Sequence, residues 1–289
     1  MHNIVLNNGV KIPALGFGVF QIPDHNECVK AVSDAISVGY RLIDTAQAYH
    51  NEEAVGMAVK KSSVPRDEFF LTSKIWVAHS GENLAAASID ESLKRLQTDY
   101  IDLMLIHQPY GDYYGTYRAL QKALKDGKIR AIGVSNFFAD RLVDLCNFME
   151  IKPQINQMET HVFQQQAKLR PYMDKFKVQL EAWGPFAEGK NSFFENPVLL
   201  KIAAKYNRTV AQIGLRFLVQ SGIIAIPKSS HIKRMEENIS VFDFEISNSD
   251  MSLIRMLDTG RSAFCDHSDP EFVQAVADLS HNHPLVNAL

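Results

Sequence analysis

Four residues in the first half of the chain are of types that could do chemistry together: Asp44, Tyr49, Lys74 and His107. Tyrosine is a poor acid near neutrality, with a reference pKa of about 10. A neighbouring ammonium stabilises the phenolate and lowers that value, and an aspartate can hold the ammonium in place. Tyr49 is then a candidate proton donor to an oxygen becoming an alkoxide. Lys74 would be the acidifying charge, Asp44 its anchor, and His107 a hydrogen-bonding partner of the same oxygen. Protonating a carbonyl oxygen makes sense only if something attacks the carbon. No metal-ligand spacing is visible, so the expected supplier is a hydride from a bound nicotinamide, and no metal site is expected. Each residue alone has a plainer reading. Asp44 could cap a helix, Lys74 after Thr72-Ser73 could be a surface charge, and His107 and Tyr49 could simply pack.

Their placement decides between these readings. Short β-branched runs alternate with helical periods almost throughout. After a hairpin (Asn3–Leu6, turn Asn7-Asn8-Gly9, Val10–Ile12), strands are expected near Ala14–Gly18, Arg41–Asp44, Phe69–Lys74 and Ile101–His107. Four more are expected near Ile129–Val134, Gln154–Gln157, Val178–Trp183 and Ile223–Ile226. Their cores are mostly continuously apolar, which suits parallel strands covered on both faces. Between them, Val29, Val32 and Ile36, then Ala85, Ile89, Leu93 and Leu96, then Tyr117, Leu120 and Leu124 step at helical spacing. Gly39 and Gly127 stand where helix C-caps belong. Eight β/α units without a Gly-x-Gly-x-x-Gly after the first strand favour an α/β fold of the (β/α)8 TIM-barrel type over a Rossmann sheet. Asp44, Lys74 and His107 then close adjacent strands, with ends about 5 Å apart, and converge beside Tyr49. The hairpin would close the bottom of the barrel. Arg261–Leu289 reads as a tail over the substrate pocket, and no linker divides residues 1–289, so one domain is expected.

Composition removes other classes. Of 289 residues, 46% are apolar and 22% charged, and 30 basic against 33 acidic side chains leave a net charge of −3. That balance gives no reason to bind nucleic acid or an anionic membrane, and no apolar run approaches the ~18 residues of a membrane span. Three dispersed cysteines (Cys28, Cys146, Cys265) read as free thiols. The N-terminus shows no signal peptide, so a cytoplasmic protein is expected.

The other strand ends supply a binding surface. The loop and helix after strands seven and eight are the recurrent phosphate site of such barrels. Here that segment reads Ile226-Pro227-Lys228-Ser229-Ser230, followed by Arg234, Glu237 and Asn238. Lys228 and Arg234 supply cations, and the arginine fork suits a phosphate monoester, which favours NADPH over NADH. A charged, solvated helix start is the alternative. Ser135, Asn136 and Gln157 offer groups that match a carboxamide. Trp183 offers a stacking face, although a lone tryptophan there would more often plug the core, and Gly184 and Phe186 beyond it join the candidate cofactor contacts.

These residues lie in long, ordered motifs: Gly39-Tyr40-Arg41-Leu42-Ile43-Asp44-Thr45-Ala46 with Tyr49, Asn51 and Glu52; Thr72-Ser73-Lys74-Ile75-Trp76; Asp102-Leu103-Met104-Leu105-Ile106-His107; Gly133-Val134-Ser135-Asn136-Phe137; Asn156-Gln157; and Ile226-Pro227-Lys228-Ser229. In these the sequence resembles the aldo-keto reductases. It is most similar to the bacterial branch of 2,5-diketo-gluconate and aldehyde (methylglyoxal) reductases. The resemblance implies a catalytic tetrad of Asp44, Tyr49, Lys74 and His107 and carboxamide contacts at Ser135, Asn136 and Gln157. It also implies 2′-phosphate contacts at Lys228, Ser229 and Arg234, with Glu237 and Asn238 at the adenine. A monomer using NADP(H) and a small-molecule carbonyl substrate comes with it. Gln108 stands where many members carry a pocket tryptophan, and Trp183 where many carry tyrosine. Phe20, Trp76 and Tyr110 beside His107 are the candidate pocket wall, unless they only pack the barrel mouth.

The function expected is NADPH-dependent reduction of aldehydes, ketoaldehydes or ketosugars. A nucleotide-binding regulatory module of the same fold would need the phosphate site but neither Lys74 nor His107. A metal-dependent barrel enzyme would need Asp44, His107 and Glu159 or His161 around an ion.

Overall fold

The computed structural model of the chain describes residues 2–281. A hairpin pairs β1 (Asn3–Val5) antiparallel to β2 (Lys11–Pro13), with Ile4 opposite Ile12. Eight parallel strands follow: β3 (Phe17–Gly18), β4 (Leu42–Asp44), β5 (Phe70–Ile75), β6 (Ile101–Ile106), β7 (Ile129–Ser135), β8 (Ile155–Glu159), β9 (Gln179–Trp183) and β10 (Ile224–Ala225). Each pairs with the next in sequence. The sheet also closes on itself. Leu15 bridges Ala225 in parallel, the Gly16 amide donates to the Ala225 carbonyl at 2.8 Å, and the Gly18 amide donates to the Pro227 carbonyl at 3.1 Å. The expected (β/α)8 barrel is the observed fold.

The helices are α1 (His25–Val38), α2 (Glu52–Lys61), α3 (Glu82–Leu96), α4 (Tyr113–Lys125), α5 (Ala139–Phe148), α6 (Arg170–Phe176), α7 (Pro197–Tyr206), α8 (Val210–Gln220), α9 (Ile232–Ile239), α10 (Asn248–Arg255) and α11 (Pro270–His281). Local chemistry sets their limits. The Asp24 carboxylate accepts the Glu27 amide at the start of α1, and Gly39 ends it at φ 112°, a left-handed cap that glycine adopts without strain. Between β9 and β10 the chain fits in both α7 and α8, the latter opened by a Thr209–Gln212 capping box.

The barrel interior divides into two layers. Ile12 of the hairpin meets Leu42, Phe70, Leu103, Leu105, Ile155 and Ile224 in an apolar plug. Burying a side chain of this size contributes about 1.5–3 kcal/mol. Asn7 and Asn8 tie the hairpin to carbonyls at the strand starts, Asn7 to Pro153 and Lys177 and Asn8 to Arg130. The hairpin therefore closes the bottom, as expected. Above the plug the interior becomes polar and holds Asp44, Lys74, Gln157 and Glu181, all buried.

The C-terminal segment lies across the mouth, as the expected tail would, and adds a helix. This helix, α11, forms because Pro270 suits a first helical turn and the Asp269 carboxylate accepts the Glu271 amide. Residues 282–289 of that expectation lie outside the described residues.

Candidate active site

β4 ends at Asp44, and the chain turns back over the mouth through a 3-10 turn, Gln47–Tyr49, that carries Tyr49. Buried Asn51 fixes this turn. Its amide donates to the Val19 and Ile22 carbonyls (2.9 and 3.1 Å), and its oxygen accepts the Thr45 hydroxyl (2.7 Å). Lys74 lies inside the barrel on β5, fully buried. Its ammonium donates to Asp44 Oδ1 at 2.5 Å, to the Thr45 carbonyl at 2.9 Å and to the Tyr49 hydroxyl at 3.3 Å. An ammonium has three N–H bonds, so all are committed, one of them to the phenol. Burial works against the charge, but Asp44 and Tyr49 outweigh it and hold the Lys74 pKa above the ordinary lysine value.

His107 follows β6, its amide bonded to the Ile75 carbonyl, and presents its ring edge-on to Tyr49 (5.5 Å between centroids) and to Trp76 (5.2 Å). Burial, then the Lys74 charge and His267, push its pKa well below the usual histidine value, so the imidazole is neutral at pH 7. Its Nδ1 is buried without a partner.

The four residues expected to converge are thus brought together, with one correction. The sequence argues that Lys74 lowers the Tyr49 pKa. Lys74 does act in that direction, but burial of the phenol is the larger effect and Asp44 adds to it, so the net direction is upward. Tyr49 is a firmly protonated phenol.

Asp44 Oδ2 accepts the Gln157 amide at 2.8 Å, and the same nitrogen donates to Glu181 Oε2 at 2.9 Å. Both N–H bonds of the Gln157 side chain therefore serve carboxyl groups, which leaves its side-chain oxygen as the atom that could meet a carboxamide. Glu181 escapes the sequence reading. The available signal is a charge inside the apolar run Leu180-Glu181-Ala182 of β9. Burial, with Asp44 beside it, pushes its carboxyl up to about 8, against the Gln157 hydrogen bond and the Lys74 charge.

Beside this cluster, Trp183 Nε1 donates to Asn136 Oδ1 at 2.9 Å. Asn136 sits at φ 62° and donates in turn to the His107 carbonyl (3.2 Å) and Gln108 Oε1 (3.3 Å). Ser135 donates its hydroxyl to the Gln157 backbone carbonyl at 3.0 Å. Gly184 and Phe186 follow Trp183 at the mouth, and Phe264 of the C-terminal crossing lies 5.2 Å from Trp183. Phe20 stacks obliquely on Tyr49 at 5.0 Å. Tyr110 donates its hydroxyl to the His267 carbonyl at 2.8 Å, so it anchors the crossing segment.

Lys228, Arg234 and Glu237 are exposed at the β10–α9 end, and Ser229 and Asn238 are buried there. Ser229 shapes the turn, its hydroxyl bonded to the His231 backbone. The N-cap residue His231 gives α9 no side-chain hydrogen bond, so first-turn amides stand beside two cations. That donor set fits an anionic phosphate. Glu159 and His161 are occupied otherwise. Glu159 bonds the His161 ring (2.9 Å), the Ala263 amide (2.8 Å) and the Ser262 hydroxyl, which latches the crossing segment. Asp44 is engaged by Lys74 and Gln157. Among the described residues no group of three or more His, Cys, Asp or Glu could hold a metal ion, and none of the described helices is long and apolar enough to cross a membrane.

A closed barrel with a phenol, ammonium, carboxylate and imidazole at one mouth defines an oxidoreductase that acts on carbonyl groups. The aldo/keto reductase family profile matches residues 14–259, and the chain belongs to that family. It is 48% identical over 255 residues to the glyoxal reductase of Bacillus subtilis, covering 88% of this chain and 92% of that protein. It is 40% identical over 261 residues to the methylglyoxal reductase DkgA of Escherichia coli, covering 89% and 94%. Among solved structures, the aldo-keto reductase of Bombyx mori in complex with NADP matches at 32% identity with a TM-score of 0.87, covering 94% of this chain and 96% of that one. A nicotinamide cofactor goes with this family.

Proposed function

We propose that this protein reduces small aldehydes and dicarbonyl compounds of the glyoxal and methylglyoxal class with NADPH, Tyr49 supplying the proton. The observation that carries the reading is the position of the Lys74 ammonium, hydrogen-bonded to Asp44 on one side and to the Tyr49 hydroxyl on the other. A module that only bound nucleotide would have no use for a buried ammonium aimed at a phenol.

When bound, the nicotinamide supplies a hydride to the carbonyl carbon. Trp183, fixed by Asn136, would give its ring a face, and Ser135, Asn136 and the Gln157 side-chain oxygen would meet its carboxamide. Lys228, Ser229 and Arg234 would hold the 2′-phosphate, with Glu237 and Asn238 toward the adenine. His107 orients the substrate. An orphaned N–H is the costlier unpaired group in a buried site, so the unpartnered Nδ1 places the ring proton on Nε2, which then donates to the carbonyl oxygen. Tyr49 gives its proton to that oxygen as negative charge develops there. Its phenolate is then stabilised by Lys74, whose charge Asp44 balances. Positioned acids of this kind contribute about 10²–10⁴-fold. Phe20, Trp76 and Tyr110 would form an aromatic wall around a small carbonyl substrate.

The test is a fluorescence titration with NADPH and, separately, NADH. The two tryptophans of the chain, Trp76 and Trp183, both lie at the mouth. Tight NADPH binding, much weaker NADH binding and turnover of methylglyoxal are expected. Binding of neither cofactor overturns the reading.

A further inference from the structure

Glu181 is a second carboxylate in a cluster that has one ammonium. Its side chain enters the barrel from β9, in register with Gln157 on β8 and Ile224 on β10. It is fully buried, and one of its oxygens accepts the Gln157 amide while the other, Oε1, has no partner. The ionisable groups acting on it are Asp44 on β4 and Lys74 on β5. The strands beside it offer only an amide and an apolar side chain. A bare carboxylate oxygen in such a place costs more ionised than protonated. Lys74 already balances Asp44, so a neutral Glu181 leaves the buried cluster without net charge.

We propose that Glu181 is a positioning residue for the reduction: through the Gln157 amide it fixes the Asp44 carboxylate on Lys74, and its charge state sets how readily Tyr49 gives up its proton. The relay runs from Glu181 through Gln157, Asp44 and Lys74 to Tyr49 in four hydrogen bonds of 2.9, 2.8, 2.5 and 3.3 Å. The sign follows from electrostatics. Once Glu181 ionises, releasing its proton to solvent, the cluster carries an extra negative charge that opposes a phenolate on Tyr49. Reduction therefore slows as pH rises through about 8. One added charge a few hydrogen bonds away, at an effective dielectric near 20, makes roughly a tenfold difference.

The inference rests on Tyr49 being the proton donor, and the experiment separates the two claims. The kcat for methylglyoxal with saturating NADPH is measured from about pH 6 to about pH 10 for the wild type, Glu181→Gln and Tyr49→Phe. The wild type is expected to step down roughly tenfold around pH 8, and Glu181→Gln to lose that step. If Glu181→Gln keeps the wild-type step while Tyr49→Phe is inactive, the role of Glu181 is wrong and the proton-donor reading stands. If Tyr49→Phe turns over normally, the proton-donor reading itself fails. Should Glu181→Gln not fold, carbon-13 NMR of glutamate-labelled wild type decides. A buried carboxyl that titrates near pH 8 supports the proposal, and one already ionised at pH 7 overturns it.

Discussion

Replacing Lys74 by methionine keeps most of its volume and removes the ammonium, so the change isolates what that charge does. Two consequences can be sized. The Lys74 ammonium lies 3.3 Å from the Tyr49 hydroxyl, and at an effective dielectric of about 20 a full phenolate–ammonium attraction at that distance is about 5 kcal/mol. With the proton about half transferred in the transition state, about half remains, ~2.5 kcal/mol, or roughly 70-fold in rate. Asp44 meanwhile keeps only Gln157 as a partner in a site where it is 2% exposed. Removing one member of a buried ion pair costs about 3–5 kcal/mol of stability. Lys74→Met should thus lower kcat for methylglyoxal roughly 10²-fold and cut unfolding free energy by about 3–5 kcal/mol. Steady-state NADPH oxidation and denaturant unfolding read the two effects. Adding Asp44→Asn to Lys74→Met should restore most of the stability and none of the rate, because the lone carboxylate is gone while the phenol still lacks its cation. A single variant within threefold or so of wild type, or a double variant that regains rate along with stability, would refute the reasoning.

Two further outcomes follow from the same geometry. Arg234→Ala and Lys228→Ala should each weaken NADPH binding about tenfold to a hundredfold while barely changing NADH, since each removes a charge-assisted contact of about 1.5–3 kcal/mol to a group that only NADPH carries; equal losses for both cofactors would place the 2′-phosphate elsewhere. The Glu159 latch should open in acid. Burial raises the Glu159 pKa, but hydrogen bonds from His161, Ser262 and Ala263 outweigh it and the net direction is downward. The latch is therefore fully present above the ordinary glutamate pKa of about 4.3 and is lost as pH falls through the lower folded value. Hydrogen exchange at the Ala263 amide, after correction for its intrinsic pH dependence, should lose protection below that range, and Glu159→Gln should exchange faster at neutral pH.

The barrel was legible because its signals are local. Continuous apolar strands such as Ile101–Ile106, helical stepping through Ala85, Ile89 and Leu93, and caps such as Gly39 each carry their own physics. Asp44, Lys74 and His107 could be placed together because they close adjacent parallel strands, and Tyr49 because it follows Asp44 within a short turn. What stayed hidden depends on pairing across the barrel. Glu181 and Gln157 meet Asp44 only once the sheet closes, and no spacing along the chain announces it. The direction of the Tyr49 shift is hidden for a related reason, since charge partners follow from residue types but the depth of burial does not. The C-terminal crossing is held by Glu159, Tyr110 and Trp183, residues about 80 to 157 positions away in sequence. Its polar composition reads as tail until those contacts are seen.

The most direct test of the account is Tyr49→Phe, assayed for NADPH-dependent methylglyoxal reduction alongside NADPH binding by tryptophan fluorescence. A fall in kcat of about 10²–10⁴-fold with cofactor affinity unchanged is expected. A variant that binds NADPH normally and reduces methylglyoxal at the wild-type rate would contradict it.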